Sequence, residues 1–401
     1  MELPVAAILC ATAATYILCA LAAGYVARMG FPMPKDSRHV GCINGLRGYL
    51  ALSVLVHHFS IWILVSRTTG GWAPPPSPIL ANFGSSSVAL FFMVTGFVFY
   101  PRVLDGWRNV AWKTLYTARL FRIVPLTVVC VLVVVIIILA RQGMQARGPL
   151  LKPLSFWLTT IAEPDLLGYQ YSKRINANVL WSLRCEWIFY FGLLPVCVLA
   201  SSAARKYVSS LSICLFILGA LLAFREVYPG TGFPQFAPLF PIGMLGYEIQ
   251  SRPKWREVLS SRHASYASLS VLALSLCLQP HSTVQLLGLS TFFFCVACGN
   301  DYFGVLRRPG SLVLGESSFS IYMIHAIILS IVFTEGQLGA ADFATGWLPV
   351  WLPLIALLVS LVSQASYLII ERPAIGAGKA ASAYLYGRRP KLAEAELEVA
   401  P

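Results

Sequence analysis

The chain has 401 residues, of which 57% are apolar and only 12% charged, with a mean hydropathy of +0.70. Soluble globular chains carry about 25% charged residues, so too few charges are present to cover an aqueous surface, and a bilayer is the medium this composition fits. The formal charge of +13 would point to nucleic acid in a soluble protein; here it sorts by loop and calls for no nucleic-acid partner.

Apolar runs fit spans at residues 3–27, 48–66, 86–100, 123–140, 179–200, 207–224, 233–249, 264–280, 283–298, 317–334 and 348–370. They predict an all-α fold, a polytopic membrane helical bundle of about 10–11 transmembrane helices. The first segment begins Met-Glu-Leu-Pro without a basic n-region, and its apolar stretch is longer than a signal-peptide core, so it reads as a span.

The second segment places Arg47 and His58 eleven residues apart in apolar surroundings. At about 100° and 1.5 Å per residue they share one helical face about 16 Å apart, with His57 about 100° away and facing a neighbouring helix. An interfacial anchor explains a lone Arg and a core hydrogen bond explains a lone His, but ionisable groups together at this depth point to function. The third segment is short for a crossing, so it is either re-entrant or extended by its neighbours.

Arg119-Leu-Phe-Arg122 puts two arginines on one face near the membrane boundary, where they serve either as topological anchors or as a fork for phosphate. The loop from Arg141 to Asn178 is too short for a core of its own. After it, Arg184 and Glu186 interrupt an otherwise apolar span; a buried carboxylate must be paired, protonated or wet, and an ion pair with an Arg is the plain structural explanation. Cys295 and Cys298 form a C-x-x-C without a second pair or a histidine cluster, so buried packing is favoured over zinc or redox chemistry and no metal is expected. Tyr322 and His325 sit three apart on a later helix, serving packing, a helix-helix hydrogen bond or a site. The stretch from Gly376 is small-residue and charged and reads as a flexible tail.

With the N-terminus outside, 22 of the 30 basic residues fall in loops on one side and 7 on the other, leaving Arg184 within a span. The positive-inside rule puts the richer side, including the C-terminus, in the cytoplasm, as for a multi-pass protein of the cytoplasmic membrane.

In order, Asn44-Gly-Leu-Arg47-Gly with His58, Phe91-Phe-Met-Val-Thr-Gly96-Phe, Arg119 to Pro125, Trp181-Ser-Leu with Glu186 and Phe189-Tyr190, Leu314-Gly-Glu-Ser-Ser-Phe-Ser-Ile-Tyr322 with His325, and Glu371-Arg-Pro373 resemble the acyltransferase-3 family of integral-membrane O-acyltransferases. The resemblance covers residues 42–373 of a transmembrane acyltransferase domain at 1–375, with 1–30 as the first span and 376–401 as a cytoplasmic tail. It implies transfer of an acyl group, usually acetyl from acetyl-CoA, to a hydroxyl of a carbohydrate or glycosylated acceptor. Arg47 and His58 match the family's essential pair. The expected catalytic set is His58, Arg47 and Glu186, the donor set Arg119, Arg122 and Arg47, and the acceptor set Tyr322, His325, Trp181 and Ser182. Two positions depart from the pattern, Arg184 after Trp-Ser-Leu and Thr95-Gly96-Phe97-Val98, and the additional hydrolase-like domain of larger relatives is absent from this sequence.

The chemistry agrees with that reading, because a neutral imidazole can take the proton of an attacking hydroxyl, an effect of about 10² to 10⁴ in rate. A covalent acyl-His or acyl-Ser route is a second possibility. A proton-coupled transporter or exporter, using Glu186, His58 and His325 as a relay, is the principal alternative, and a scaffold protein the third.

Overall fold

The computed structural model describes residues 2–33, 38–66, 71–230, 232–334 and 348–387, and among these there is no strand. The helices are α1 (Glu2–Arg28), α2 (Arg38–Ile61), α3 (Pro78–Asp105), α4 (Trp112–Arg141), α5 (Leu151–Leu158), α6 (Leu180–Ile188), α7 (Leu194–Ala204), α8 (Ser210–Val227), α9 (Leu239–Gln250), α10 (Pro253–Leu259), α11 (Arg262–Leu276), α12 (Thr283–Ala297), α13 (Pro309–Glu316), α14 (Ser318–Thr334), α15 (Leu348–Ser366) and α16 (Arg372–Tyr386).

All eleven apolar stretches fall on helices. Among the described residues seven helical segments are long and apolar enough to cross a membrane, and α13 with α14 makes an eighth if that pair, bent by 69°, is one span. The shorter α9, α11 and α12 still connect opposite ends of the bundle, as hydrogen bonds between segments that the charge pattern assigns to the same side indicate. At one end Arg205 donates to the Leu104 carbonyl (2.5 Å) and Asn300 to that of Leu259 (3.0 Å). At the other, Asn82 donates to the carbonyls of Leu276 and Leu278 (2.8 Å each) and Arg225 to that of His281 (2.6 Å).

The third segment is a full crossing of 28 residues rather than a re-entrant turn. Its polar start hides it from a hydropathy scan, yet Asn82, Ser86 and Ser87 are buried against α11 and α12, with Gln285 donating to Asn82. Close backbone packing follows on the same helix. A Cβ on Gly96 would fall 1.9 Å from the Phe240 carbonyl oxygen, and one on Gly243 1.9 Å from that of Met93, so α3 and α9 meet at reciprocal glycines. Gly315 likewise lets α13 lie on the Asn44 carbonyl of α2, beside Arg47.

Three wide π turns interrupt the regular helices, at Trp62–Ser66 just beyond His58, at Phe189–Leu193 just beyond Glu186, and at Tyr367–Glu371. Such turns often mark functional sites, since they re-aim side chains without ending the helix. The chain does not leave the bundle at Gly376: α16 runs to Tyr386, with Gly378 set against the Phe121 ring of α4, because a small residue there lets the two helices touch. The tail from residue 388 lies outside the described residues.

Candidate active site

His58 does not stand alone. Its Nδ1 lies 2.9 Å from Nε2 of His325 on α14, and Nδ1 of His325 lies 3.0 Å from the Ile321 carbonyl. A carbonyl only accepts, so His325 Nδ1 carries the hydrogen; in a neutral pair His325 Nε2 then accepts from His58 Nδ1, which leaves the lone pair of His58 Nε2 free. His325 is fully buried, whereas His58 is partly exposed under the Trp72 ring, whose centroid lies 6.4 Å away. His325, expected at the acceptor, is thus the partner of His58. His57 faces α3 as expected, its Nδ1 2.9 Å from the Leu80 carbonyl.

A cavity with 530 Å³ of empty space lies among α2, α3, α4, α6 and α14 and is lined by Arg47, Arg122, Ser182, Glu186, Ser318 and Tyr322. Ser182 Oγ and Tyr322 OH lie 2.8 Å apart, and the Tyr322 ring lies 6.1 Å from that of His325, linking the cavity to the histidine pair. Arg47 and Arg122 are 1% and 5% exposed, and their Nε atoms, with Ser318 Oγ, have no protein partner among the described residues. Buried polar atoms without partners are rare, and three on one cavity fit a polar or anionic guest.

Arg119 and Arg122 part company. Arg122 also lines a second cavity with Glu316, Tyr367, Arg372 and Lys379, at the bundle end carrying most basic loops. Arg119 turns into aromatic packing, with its guanidinium 5.1 Å from the Phe99 ring centroid and 5.9 Å from that of Tyr190. It supplies the strongest opposing charge on Glu186, which also accepts from Tyr190 OH at 3.2 Å. Arg184 is not the ion-pair partner of Glu186: it is exposed and donates to the Ile161 carbonyl at 2.9 Å. Two residues, about 200° of helix, separate Arg184 on the side of α6 facing the loop from Glu186 on the side facing the cavity. Trp181 packs on Phe236 (4.8 Å between centroids) and Phe92 rather than facing the cavity.

Two carboxylates join the site without having been singled out. Glu316 accepts from Asn44 Nδ2 and from Tyr367 OH, both at 2.9 Å, and Glu371 accepts from Ser320 Oγ. Both act on Arg47 together with Glu186 and Arg122. The available signal was an acidic residue inside Leu314-Gly-Glu and Glu371-Arg-Pro, text otherwise read only as family pattern. No group of three or more His, Cys, Asp or Glu that could hold a metal occurs among the described residues.

An all-helical membrane bundle whose ionisable side chains converge on one internal cavity has the build of a membrane enzyme. The chain belongs to the acyltransferase family whose model, described as "Acyltransferase domain", matches residues 40–365, and it is a multi-pass membrane O-acyltransferase. It is similar to Nodulation protein 10 of Rhizobium leguminosarum bv. viciae, 25% identical over 382 residues that cover 86% of this chain and 96% of the relative. It is also similar to the exopolysaccharide production protein ExoZ of Rhizobium meliloti (strain 1021), 26% identical over 309 residues, 75% of this chain and 92% of the relative. A Staphylococcus aureus (strain COL) protein provisionally named as an O-acetyltransferase is 20% identical over 383 residues, 86% of this chain and 58% of the relative. No solved structure matches.

Proposed function

We propose that this acyltransferase moves an acetyl group from acetyl-CoA to a hydroxyl of a carbohydrate or glycosylated acceptor, with His58 as general base. The observation that carries the reading is the bond from His58 Nδ1 to His325, which frees Nε2 for a proton. The acceptor hydroxyl gives its proton to His58 Nε2 as its oxygen attacks the thioester carbonyl. The tetrahedral intermediate then expels the thiolate, which takes the proton back from the imidazolium. His325 holds the base in one tautomer and shares the positive charge as it develops.

The donor approaches from the bundle end where Arg372, Lys379 and Arg122 line an open cavity, and its phosphates meet those cations. The thioester then extends past Arg122 into the inner cavity beside Arg47 and Glu186. The acceptor comes from the opposite side, where beside His58 the Trp62 ring stacks on Phe333 (5.5 Å between centroids) and meets Trp72 edge to face (5.4 Å), a surface that suits the apolar face of a sugar ring. The name of the relative ExoZ, an exopolysaccharide production protein, supports the same class of acceptor.

The test offers acetyl-labelled acetyl-CoA to membranes with and without the protein. Label in a carbohydrate fraction that depends on His58 is the expected result. Label transferred equally by His58→Ala would remove the base, and substrate flux without coenzyme A release would favour a transporter.

A further inference from the structure

The loop between α5 and α6 lies at the His58 end of the bundle and is built rather than loose. Trp157 is fully buried with Nε1 donating to the Pro164 carbonyl (2.8 Å), Asp165 and Ser172 bond across the loop, and Asn176 is 1% exposed. The chain enters α6 through Ala177 and Asn178, consecutive left-handed residues with φ of 47° and 56°. Alanine adopts that conformation only when its surroundings impose it.

Ala177 N–H donates to the Arg174 carbonyl (3.1 Å) and Asn178 N–H to that of Lys173 (2.8 Å), and the Glu163 side chain braces this turn through Asn176. The residue before α6 is Val179, which has no side-chain oxygen to cap the helix; the Glu163 carboxyl instead faces the Leu180 N–H at the helix start and accepts from Asn176 Nδ2 (3.3 Å). The fixed turn aims the Val179 carbonyl at the cavity, where it accepts from Ser182 Oγ at 3.1 Å and from Tyr322 OH at 3.2 Å. We propose that Glu163 is a positioning residue for the acceptor side of the site, its buried carboxyl holding the turn that sets Ser182 and Tyr322. The kinetic part of this proposal rests on the acyl-transfer reading; the cap itself does not.

Burial pushes the Glu163 carboxyl up to about 7, against the opposing pull of its Asn176 hydrogen bond and the Arg184 and Lys173 charges. Arg184 faces it from α6, Lys173 from the loop, and Tyr322 from α14. A carboxyl raised in this way holds its proton more tightly in the closed turn than in solvent, so protonation below about pH 7 tightens the turn and ionisation above it loosens the turn.

The test follows two quantities between pH 8 and pH 6 in wild type and Glu163→Gln: KM for the acceptor, and amide hydrogen exchange of residues 177–183 corrected for intrinsic rates. The protonated fraction rises about tenfold over that range, so wild-type acceptor KM should fall by up to about tenfold while donor KM stays level. Exchange of the α6 start should slow in step. Glu163→Gln should hold the acid-side values of both at every pH, and Glu163→Asp should keep the pH step with a raised KM, which covers the case that the amide variant folds poorly. A wild-type pH step surviving in Glu163→Gln overturns the proposal. A step lost from exchange but kept in KM reduces Glu163 to a structural cap and overturns the positioning role. If the wild type transfers no acyl group, the acyl-transfer reading fails, and exchange alone decides the cap.

Discussion

His57 and His58 are adjacent in sequence and differ in everything that matters chemically. His58 bonds an imidazole and keeps one nitrogen open, whereas His57 is held by the Leu80 carbonyl with its ring against Gly84, where a Cβ would come within 2.6 Å. His58→Ala should lower acyl transfer by about 10² to 10⁴ while the protein stays folded, and His57→Ala should keep transfer within a few-fold but lose about 1–3 kcal/mol of stability. Turnover and thermal melting in detergent check both; the reverse pattern would exchange the two roles. Arg119 and Arg122 separate in the same way. Arg122→Ala should raise donor KM with little change for the acceptor, while Arg119→Ala should act mainly through folding, by about 3–5 kcal/mol, because it leaves Glu186 without its strongest counter-charge. Equal donor effects in the two variants would restore them as a phosphate fork. The shared face of Arg47 and His58 was legible because helical spacing is local. The pairing of His58 with His325 spans 267 residues, and the fork of Arg119 and Arg122 was misread because one helical face near a membrane boundary can meet both a cavity and a neighbouring aromatic cluster.

Helices were legible wherever lipid rather than protein surrounds them. Where helices pack on one another, polar residues can be hidden, and so the start of α3 with Asn82 reads as loop in a hydropathy scan although it is fully buried. The glycine contacts were equally invisible, since nothing in Thr95-Gly96-Phe97 says which backbone will lie across it. That contact sets a paired expectation. Gly243→Ala puts a methyl 1.9 Å from the Met93 carbonyl oxygen and should cost about 1–3 kcal/mol or more, whereas Gly219→Ala on the exposed face of α8, with nothing within 4 Å, should be neutral or stabilising by up to about 1 kcal/mol. Thermal melts of the two variants decide it, and a neutral Gly243→Ala would mean that α3 and α9 can part without loss. The π turns beyond His58 and Glu186 lie beyond any sequence signal used here, because a wide turn arises from what the side chains must reach rather than from local preference.

At the scale of the molecule, the proposed chemistry depends on orientation. The orientation we propose from the charge asymmetry of 22 basic residues against 7 has the Arg122, Arg372 and Lys379 cavity facing the cytoplasm, the side from which the proposed thioester donor comes, and the Trp72 surface outside. Both ends of the bundle offer positions suited to a label. Tyr384 on α16 is 90% exposed and Tyr171 in the loop before α6 is 56% exposed, whereas Ser382 is buried at 7% and would report packing rather than side. A membrane-impermeant maleimide on intact cells should modify Tyr171→Cys at once and Tyr384→Cys only after permeabilisation, each compared with the parent because Cys10 and Cys277 are exposed. Labelling of Tyr384→Cys in intact cells would turn the bundle over. The basic cavity would then face away from the donor pool, and a cytoplasmic thioester could no longer reach Arg47 and Glu186 by the route through Arg122.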